Sequence, residues 1–101
     1  MCFPPGFEWD PPKNEQNIRG HHIDFADVPP LFDGLTWERL DDRENYGEDR
    51  WVAVGLLRGI EVTVVYTMRG EDEDIRHLIS ARRATPHERK AYWKAIEGST
   101  R

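Results

Sequence analysis

Two apolar runs that meet at a tight turn constrain the fold of this chain more than any other feature. Trp51–Leu57 and Ile60–Met68 are rich in β-branched residues, which favour strands. Arg58-Gly59 between them suits a two-residue hairpin turn that pairs the runs antiparallel. Because Ile60–Met68 alternates apolar and polar residues, it is predicted to have one wet face. Trp51–Leu57 is apolar on both faces and is predicted to lie inside the sheet.

Further strands are predicted on either side of this hairpin. A third run, Ile75–Ala81, follows the acidic turn formed by residues 70–74 and extends the sheet. Leu35–Leu40 is predicted to be another strand, and Phe7-Glu8-Trp9 a short extended segment. Residues 41–49 are acidic and polar, and are predicted to form an exposed loop.

Three helices are predicted from their capping residues. The first spans residues 11–20 or 11–21, because Asp10 suits the N-cap and Pro11 the first helical position. Asp24 suits the N-cap of a second short helix, which the prolines at 29 and 30 interrupt. Thr85-Pro86-His87-Glu88 forms a capping box for a last helix that Gly98 is expected to end. The element order predicts an α+β fold with helices packed on one face of an antiparallel sheet.

Composition places the chain among globular proteins. With 101 residues, of which 33% are charged and 38% hydrophobic, residues 1–101 are expected to form a single domain with a flexible N-terminus over residues 1–6. No apolar run approaches the ~18–20 residues that a membrane span needs. The first residues lack the pattern of a signal peptide, and a lone Cys2 forms no internal disulfide. We therefore expect a cytoplasmic protein.

Charge is divided unevenly along the chain. Residues 1–74 hold seven Lys/Arg and seventeen Asp/Glu, a balance of −10, whereas residues 75–101 hold seven and two, a balance of +5. The basic end suits a polyanion, but an acidic protein partner fits it equally well. An ordinary solvated helix face is the third interpretation.

Several short motifs resemble the BrnT family of toxins. The segments that carry the resemblance are Phe7-Glu8-Trp9-Asp10-Pro11 with Lys13 and Asn17, His21 and Phe25, Gly47-Glu48-Asp49-Arg50-Trp51 with Gly55, Val65-Tyr66-Thr67, Arg69-Gly70, Ile75-Arg76, Ile79-Ser80-Ala81-Arg82-Arg83-Ala84-Thr85, and Glu88-Arg89 with Tyr92. They cover nearly the whole chain. The resemblance implies a RelE-like fold and ribonuclease activity. It also implies a BrnA antitoxin of the ribbon-helix-helix class, which represses the shared promoter and is the only route by which this chain meets DNA. A toxin dimer bridged by the antitoxin is compatible with this arrangement.

The expected chemistry uses the 2′-hydroxyl of RNA as the nucleophile. A base removes its proton, cations stabilise the charged phosphorane, and an acid protonates the leaving 5′-oxygen. The products are a 2′,3′-cyclic phosphate and a 5′-hydroxyl, and no metal or other cofactor is required. DNA lacks the hydroxyl and is spared.

Seven residues are predicted to form the site. The catalytic ones are His21, Lys13, Arg69 and Arg82, and the RNA-binding ones are Arg76, Arg83 and Trp37. An imidazole changes its protonation near neutral pH, and His21 also matches a family position. Lys13 lies eight residues earlier and shares a helix face with it.

Four of the site residues also have an interpretation that does not involve RNA. His21 interacts with the last carbonyls of its helix, and Lys13 is an ordinary surface lysine. Arg69 forms an ion pair with Glu61, itself a second candidate base if burial raises its pKa. Arg83 faces the antitoxin or caps the last helix.

The remaining predictions concern the arginines and the aromatic residues. The arginines are expected to form one cationic pocket along a β-surface, because guanidinium groups bind phosphate bidentately. Trp37 is predicted to be exposed and to stack on a base. The other aromatic side chains are assigned to the core, namely Trp9, Trp51, Tyr66 and Trp93.

The chain departs from the family pattern at four places. Gly20-His21-His22 stands where Lys-His-Gly is common, Pro29-Pro30 breaks the second helix, His77 replaces an aliphatic residue, and residues 71–74 lengthen a hairpin. The lost cation favours an alternative function: a catalytically silent interaction module that acts in antitoxin-mediated repression.

Overall fold

The computed structural model describes residues 3–41 and 47–99. In chain order the elements are β1 (Phe7–Trp9), α1 (Pro11–His21), two 3₁₀ helices (Phe25–Asp27 and Pro29–Asp33), β2 (Trp37–Asp41), β3 (Arg50–Leu57), β4 (Ile60–Arg69), β5 (Ile75–Arg83) and α2 (Pro86–Ser99). The predicted α+β class is confirmed. Within the described residues, none of the helices is both long enough and apolar enough to cross a bilayer.

The five strands form one sheet in the order β1-β5-β4-β3-β2. Strand β1 pairs parallel with β5, and every other pair is antiparallel. The β3–β4 hairpin is confirmed, and Arg58 and Gly59 both adopt left-handed φ angles of 53° and 79°. Such a turn matches the twist of the strands it joins. The predicted interior position of β3 is also confirmed, while the predicted loop over residues 41–49 lies partly outside the described residues.

Helices cover both faces of the sheet, so the predicted packing on one face is wrong. On one face, β3 and β4 contribute Ala53 and Val64 to a cluster with Phe25, Leu31 and other buried residues of the first half of the chain. On the opposite face, Val54 packs with Tyr92 of α2. Strand alternation requires this division, because adjacent residues point to opposite sides.

The predicted wet face of β4 is wrong for the same reason. Thr63 and Thr67 belong to that face but expose only 0% and 2% of their surface. Thr63 donates its hydroxyl to Glu88 at 2.9 Å, and Thr67 donates to the Asp49 carbonyl at 2.6 Å. A buried hydroxyl is tolerated when it is hydrogen-bonded, and polarity alone does not indicate exposure.

Asn17 completes the outer edge of β5. Strand β1 pairs with β5 only as far as Leu78. Three residues further along, the Asn17 amide accepts from the Ala81 N–H at 3.0 Å and donates to the Ala81 carbonyl at 2.9 Å. The buried side chain therefore replaces a partner strand and fixes α1 against β5.

The caps and breaks agree with most of the sequence predictions. The Asp24 side chain accepts from the Ala26 N–H at 2.9 Å, and the second helix is broken into two 3₁₀ turns. The capping box at Thr85 and Glu88 is present with both reciprocal hydrogen bonds. Helix α2 continues through Gly98, so the predicted end at that residue is wrong.

Candidate functional site

The sheet face on which α2 packs extends beyond the helix and carries a series of cationic side chains. Trp37 and Val54 are paired across β2 and β3, and both pack with Tyr92 of α2, which marks this side. Strand alternation and the pairing register identify the other members. We call it the polar face; its polar members are Glu8, Arg39, Asp41, Arg50, Glu61, Thr63, Thr67, Arg69, His77, Ser80 and Arg82.

At the α2 end of the polar face, Arg82 is held by Glu88. Its Nη1 and Nη2 atoms donate to the two carboxylate oxygens at 2.7 and 3.0 Å. Burial raises the pKa of the Glu88 carboxyl, but hydrogen bonds from Arg82, Thr85 and Thr63 outweigh this and lower the pKa to about 2. Arg39 approaches the same carboxylate at 3.9 Å and exposes 42% of its side chain.

At the other end of the polar face, His77 lies between a carboxylate and a guanidinium group. Its Nδ1 atom is 2.5 Å from Glu8 Oε2 and 3.5 Å from Arg69 Nη1. Arg69 is held from the other side by Glu48, at 3.2 Å from Nη2. The ion pair of Arg69 is therefore with Glu48, and the predicted pair with Glu61 is wrong.

The sequence analysis did not assign His77, Glu8 or Arg39 to the site. The available signal was a polar residue in each of two short apolar segments, at positions 8 and 77. Only the parallel pairing of β1 with β5 brings these positions opposite each other, 69 residues apart in the chain. Periodicity does not predict such a pairing.

Lys13 and His21 lie together beside the polar face. They line a groove of about 200 Å³ along α1 with Gln16, Asn17 and Ser80. Ser80 belongs to the polar face, so this groove adjoins the face at the β5 edge. The predicted pairing of Lys13 and His21 on one helix face is consistent with this geometry.

Arg83 lies on the other side of His21. Both residues line a mainly apolar cavity of about 330 Å³ with Ile23, Leu57 and Ile60 among others. Arg83 is exposed, and its strand position alternates with that of Arg82, so the two guanidinium groups leave β5 on opposite faces.

The expectation of a single arginine pocket is wrong. Arg69 and Arg82 share the polar face but lie at its two ends, each held by a glutamate. Arg76 lies on the opposite face, where its guanidinium group stacks 4.2 Å from the centre of the Phe32 ring and 5.5 Å from that of Tyr66. Arg76 thus packs among aromatic rings.

Two tryptophans exchange their predicted environments. Trp37 is half-buried beneath α2 and is not the exposed residue that was predicted. Trp93, which was assigned to the core, exposes 46% of its surface and donates from Nε1 to Glu61 at 2.7 Å. That hydrogen bond lowers the pKa of the Glu61 carboxyl, so Glu61 lacks the raised pKa that a catalytic base requires.

An acidic cavity lies beside the C-terminal end of β4. It has a volume of about 560 Å³ and is lined by Glu38, Glu48, Asp49 and Glu73 among others. Tyr66 donates its hydroxyl to Glu38, and burial together with this carboxylate raises the pKa of the phenol to about 12. A cavity with this charge disfavours phosphate. Within residues 3–41 and 47–99, no group of three His, Cys, Asp or Glu side chains is arranged to hold a metal ion.

Comparison with known proteins gives concordant results. The family model for the ribonuclease toxin BrnT of type II toxin–antitoxin systems matches residues 9–88. The fold is similar to the 1.1 Å crystal structure of the Brucella abortus ribonuclease toxin BrnT, with a TM-score of 0.61 and 30% sequence identity. The aligned region covers 78% of this chain and 95% of the Brucella chain. No curated protein matched the sequence.

Proposed function

This chain belongs to the BrnT family of ribonuclease toxins, and we propose that it is a metal-independent endoribonuclease that acts on RNA in the cytoplasm. The observation that carries the proposal is the set of cations on one sheet face. Arg39, Arg69 and Arg82 belong to the polar face, and the Lys13–His21 groove opens at its β5 edge. A phosphate chain that follows the sheet meets a positive group at either end and along the edge.

The proposed reaction is the attack of the 2′-hydroxyl on its own 3′-phosphate. Lys13, Arg69 and Arg82 are the proposed catalytic cations, because negative charge grows on the phosphate oxygens as the phosphorane forms. His21 is the proposed proton-transfer residue of the α1 groove. Exposed Arg39 of the polar face and Arg83 beside His21 are the proposed RNA-binding residues, whereas the Arg76 guanidinium is stacked on aromatic rings and Trp37 is half-buried beneath α2.

The two glutamate pairs have opposite consequences for Arg69 and Arg82. Glu88 is buried and takes both terminal nitrogens of Arg82, which fixes the direction of the guanidinium group. Glu48 takes one nitrogen of Arg69, and about a third or more of both side chains is exposed. We therefore expect Arg69 to exchange its partner for a phosphate more readily than Arg82.

A type II system contains a protein antitoxin, and we propose that this one is of the ribbon-helix-helix class. The antitoxin binds DNA, whereas the toxin does not. By covering the polar face, the antitoxin prevents RNA from binding to the toxin. Acidic side chains suit this contact, since Arg39, Arg69 and the Lys13–His21 groove all offer positive charge. A toxin dimer bridged by the antitoxin is part of the same proposal.

A second candidate is the catalytically silent interaction module. Its support is the Arg82–Glu88 pair, because an arginine with both terminal nitrogens occupied is a poor phosphate ligand until the pair opens. In this case the polar face serves the antitoxin alone, and the chain contributes to promoter repression without cutting RNA.

One experiment separates these functions. The purified chain is incubated with RNA in the presence of EDTA, and the fragment ends are analysed for 2′,3′-cyclic phosphate. Arg69→Ala is expected to lower the cleavage rate by roughly 10²-fold, because a positioned charge on the phosphorane is lost. Arg19→Ala, an exposed arginine of α1, is the matched control and is expected to keep the wild-type rate.

The outcomes are distinct. Cyclic phosphate ends that disappear in Arg69→Ala but persist in Arg19→Ala support the ribonuclease. Intact RNA, together with tight and salt-sensitive binding of the antitoxin, supports the silent module. Cleavage that EDTA abolishes contradicts the metal-independent reaction.

A further inference from the structure

Glu8, His77 and Arg69 form a compact cluster at the end of the polar face that lies away from α2. The three side chains come from β1, β5 and β4, so the register of three neighbouring strands holds them in place. Elements of regular structure position side chains more rigidly than loops do. The cluster is thus a preformed arrangement of a carboxylate, an imidazole and a guanidinium group.

The short contact with Glu8 determines which nitrogen of His77 carries the proton. A carboxylate only accepts hydrogen bonds, so Nδ1, 2.5 Å from Glu8 Oε2, must be the donor. The 3.5 Å approach of Arg69 Nη1 to the same atom is then not a hydrogen bond, because a protonated nitrogen does not accept. In the neutral ring, Nε2 is left with its lone pair, and no hydrogen bond to it occurs within the described part of the chain.

We propose that His77 is the general base of the reaction, with Glu8 as its positioning residue and Arg69 as the phosphate ligand. The proposal rests on the ribonuclease function stated above. It moves proton removal from His21 in the α1 groove to the far end of the polar face. The imidazole exposes 18% of its side chain, so it is both held and accessible.

The proposed step is balanced in atoms and charge. Nε2 of His77 takes the proton of a ribose 2′-hydroxyl, and the 2′-oxygen forms a bond to the adjacent phosphorus. The bond from phosphorus to the 5′-oxygen breaks, and that oxygen takes a proton from water. The hydroxide so formed removes the proton from Nε2, which restores the base. Glu8 stabilises the intermediate imidazolium, as the carboxylate of a serine-protease triad does.

The charged groups around His77 come from four places. Glu8 lies on β1, Arg69 on β4 and Glu48 before β3, while Arg50 of β3 lies on the same face across Thr67. Glu48 pairs with Arg69, so Glu8 is the carboxylate in direct contact with the ring. Removal of Glu8 is therefore the change that most directly alters proton transfer by His77.

The test compares pH–rate profiles of RNA cleavage for wild type, His77→Gln, Glu8→Gln and the control His87→Gln. A base works only when it is unprotonated, so the wild-type rate rises with pH. His77→Gln is expected to lower kcat by about 10²-fold and to abolish the increase of the cleavage rate with pH. Glu8→Gln is expected to lower kcat with little change in KM, because the imidazolium that forms during the reaction loses its carboxylate partner. His87, exposed on α2, is expected to have no influence.

Chemical rescue separates a base from a structural residue. His77→Gly is expected to regain activity on addition of imidazole, with a rate that rises with the unprotonated fraction of imidazole. If wild type cleaves RNA and His77→Gln keeps the pH-dependent rise, the assignment of His77 is wrong while the proposed function stands. A wild-type chain without cleavage overturns the proposed function itself. A slow His77→Gly that imidazole does not rescue also contradicts the assignment.

Discussion

Replacing Glu88 by Gln removes one charge from the centre of the α2–sheet contact and keeps the shape of the side chain. The wild-type carboxylate receives hydrogen bonds from Arg82, Thr63 and the Thr85 N–H. A fall of its pKa from 4.5 to about 2 corresponds to roughly 3 kcal/mol of stability at neutral pH, at about 1.4 kcal/mol per pKa unit. The expected loss in Glu88→Gln is therefore a large fraction of the stability of a small domain.

The pH dependence of this loss is what tests the reasoning. Because the folded-state pKa is depressed, the contribution of Glu88 is complete above the unfolded value of 4.5 and declines as pH falls towards 2. At about pH 3 the free energy difference between wild type and variant should be smaller by about 2 kcal/mol than at neutral pH.

Urea denaturation at several pH values measures this difference. Glu15→Gln, at an exposed position of α1, is the matched control and should follow the wild-type curve. Subtracting the variant from wild type removes the titration of the other carboxylates, provided that they are unchanged. A free energy difference that stays constant between neutral pH and about pH 3 would refute the account of the pair.

Two further stability predictions follow from close contacts in the core. Asn17→Ala leaves the Ala81 N–H and carbonyl without partners, so the free energy of unfolding measured in urea should fall by about 2–4 kcal/mol, whereas exposed Gln16→Ala should change it little. Gly55→Ala places a Cβ 2.8 Å from the Leu31 side chain, so the free energy of unfolding in urea should fall by about 1–3 kcal/mol. An unchanged unfolding midpoint would show that the second 3₁₀ helix, which carries Leu31, shifts without loss of stability.

The strands and caps could be predicted because they are encoded locally. The Arg58-Gly59 turn and the capping box at Thr85 each depend on residues within a few positions of one another. Both are present in the structure. Local chemistry was also sufficient to place Lys13 and His21 together, because they share one helix.

The errors come from long-range packing, which periodicity does not contain. Thr63 was assigned to a wet face because its partner, Glu88, lies 25 residues away. Trp37 and Trp93 exchanged their environments because α2 crosses to the second face of the sheet and covers one of them. The contact of Glu8 with His77 needs the pairing of the first and last strands.

The Asn17 amide also has a consequence for how relatives of this chain can vary. Because one carboxamide occupies the hydrogen-bonding positions that a longer first strand would take, lengthening β1 would expel that amide and with it the helix that carries it. Insertions between β1 and α1 should accordingly be rare among chains that retain an asparagine here. The short β1 and the position of α1 against β5 therefore depend on the same asparagine.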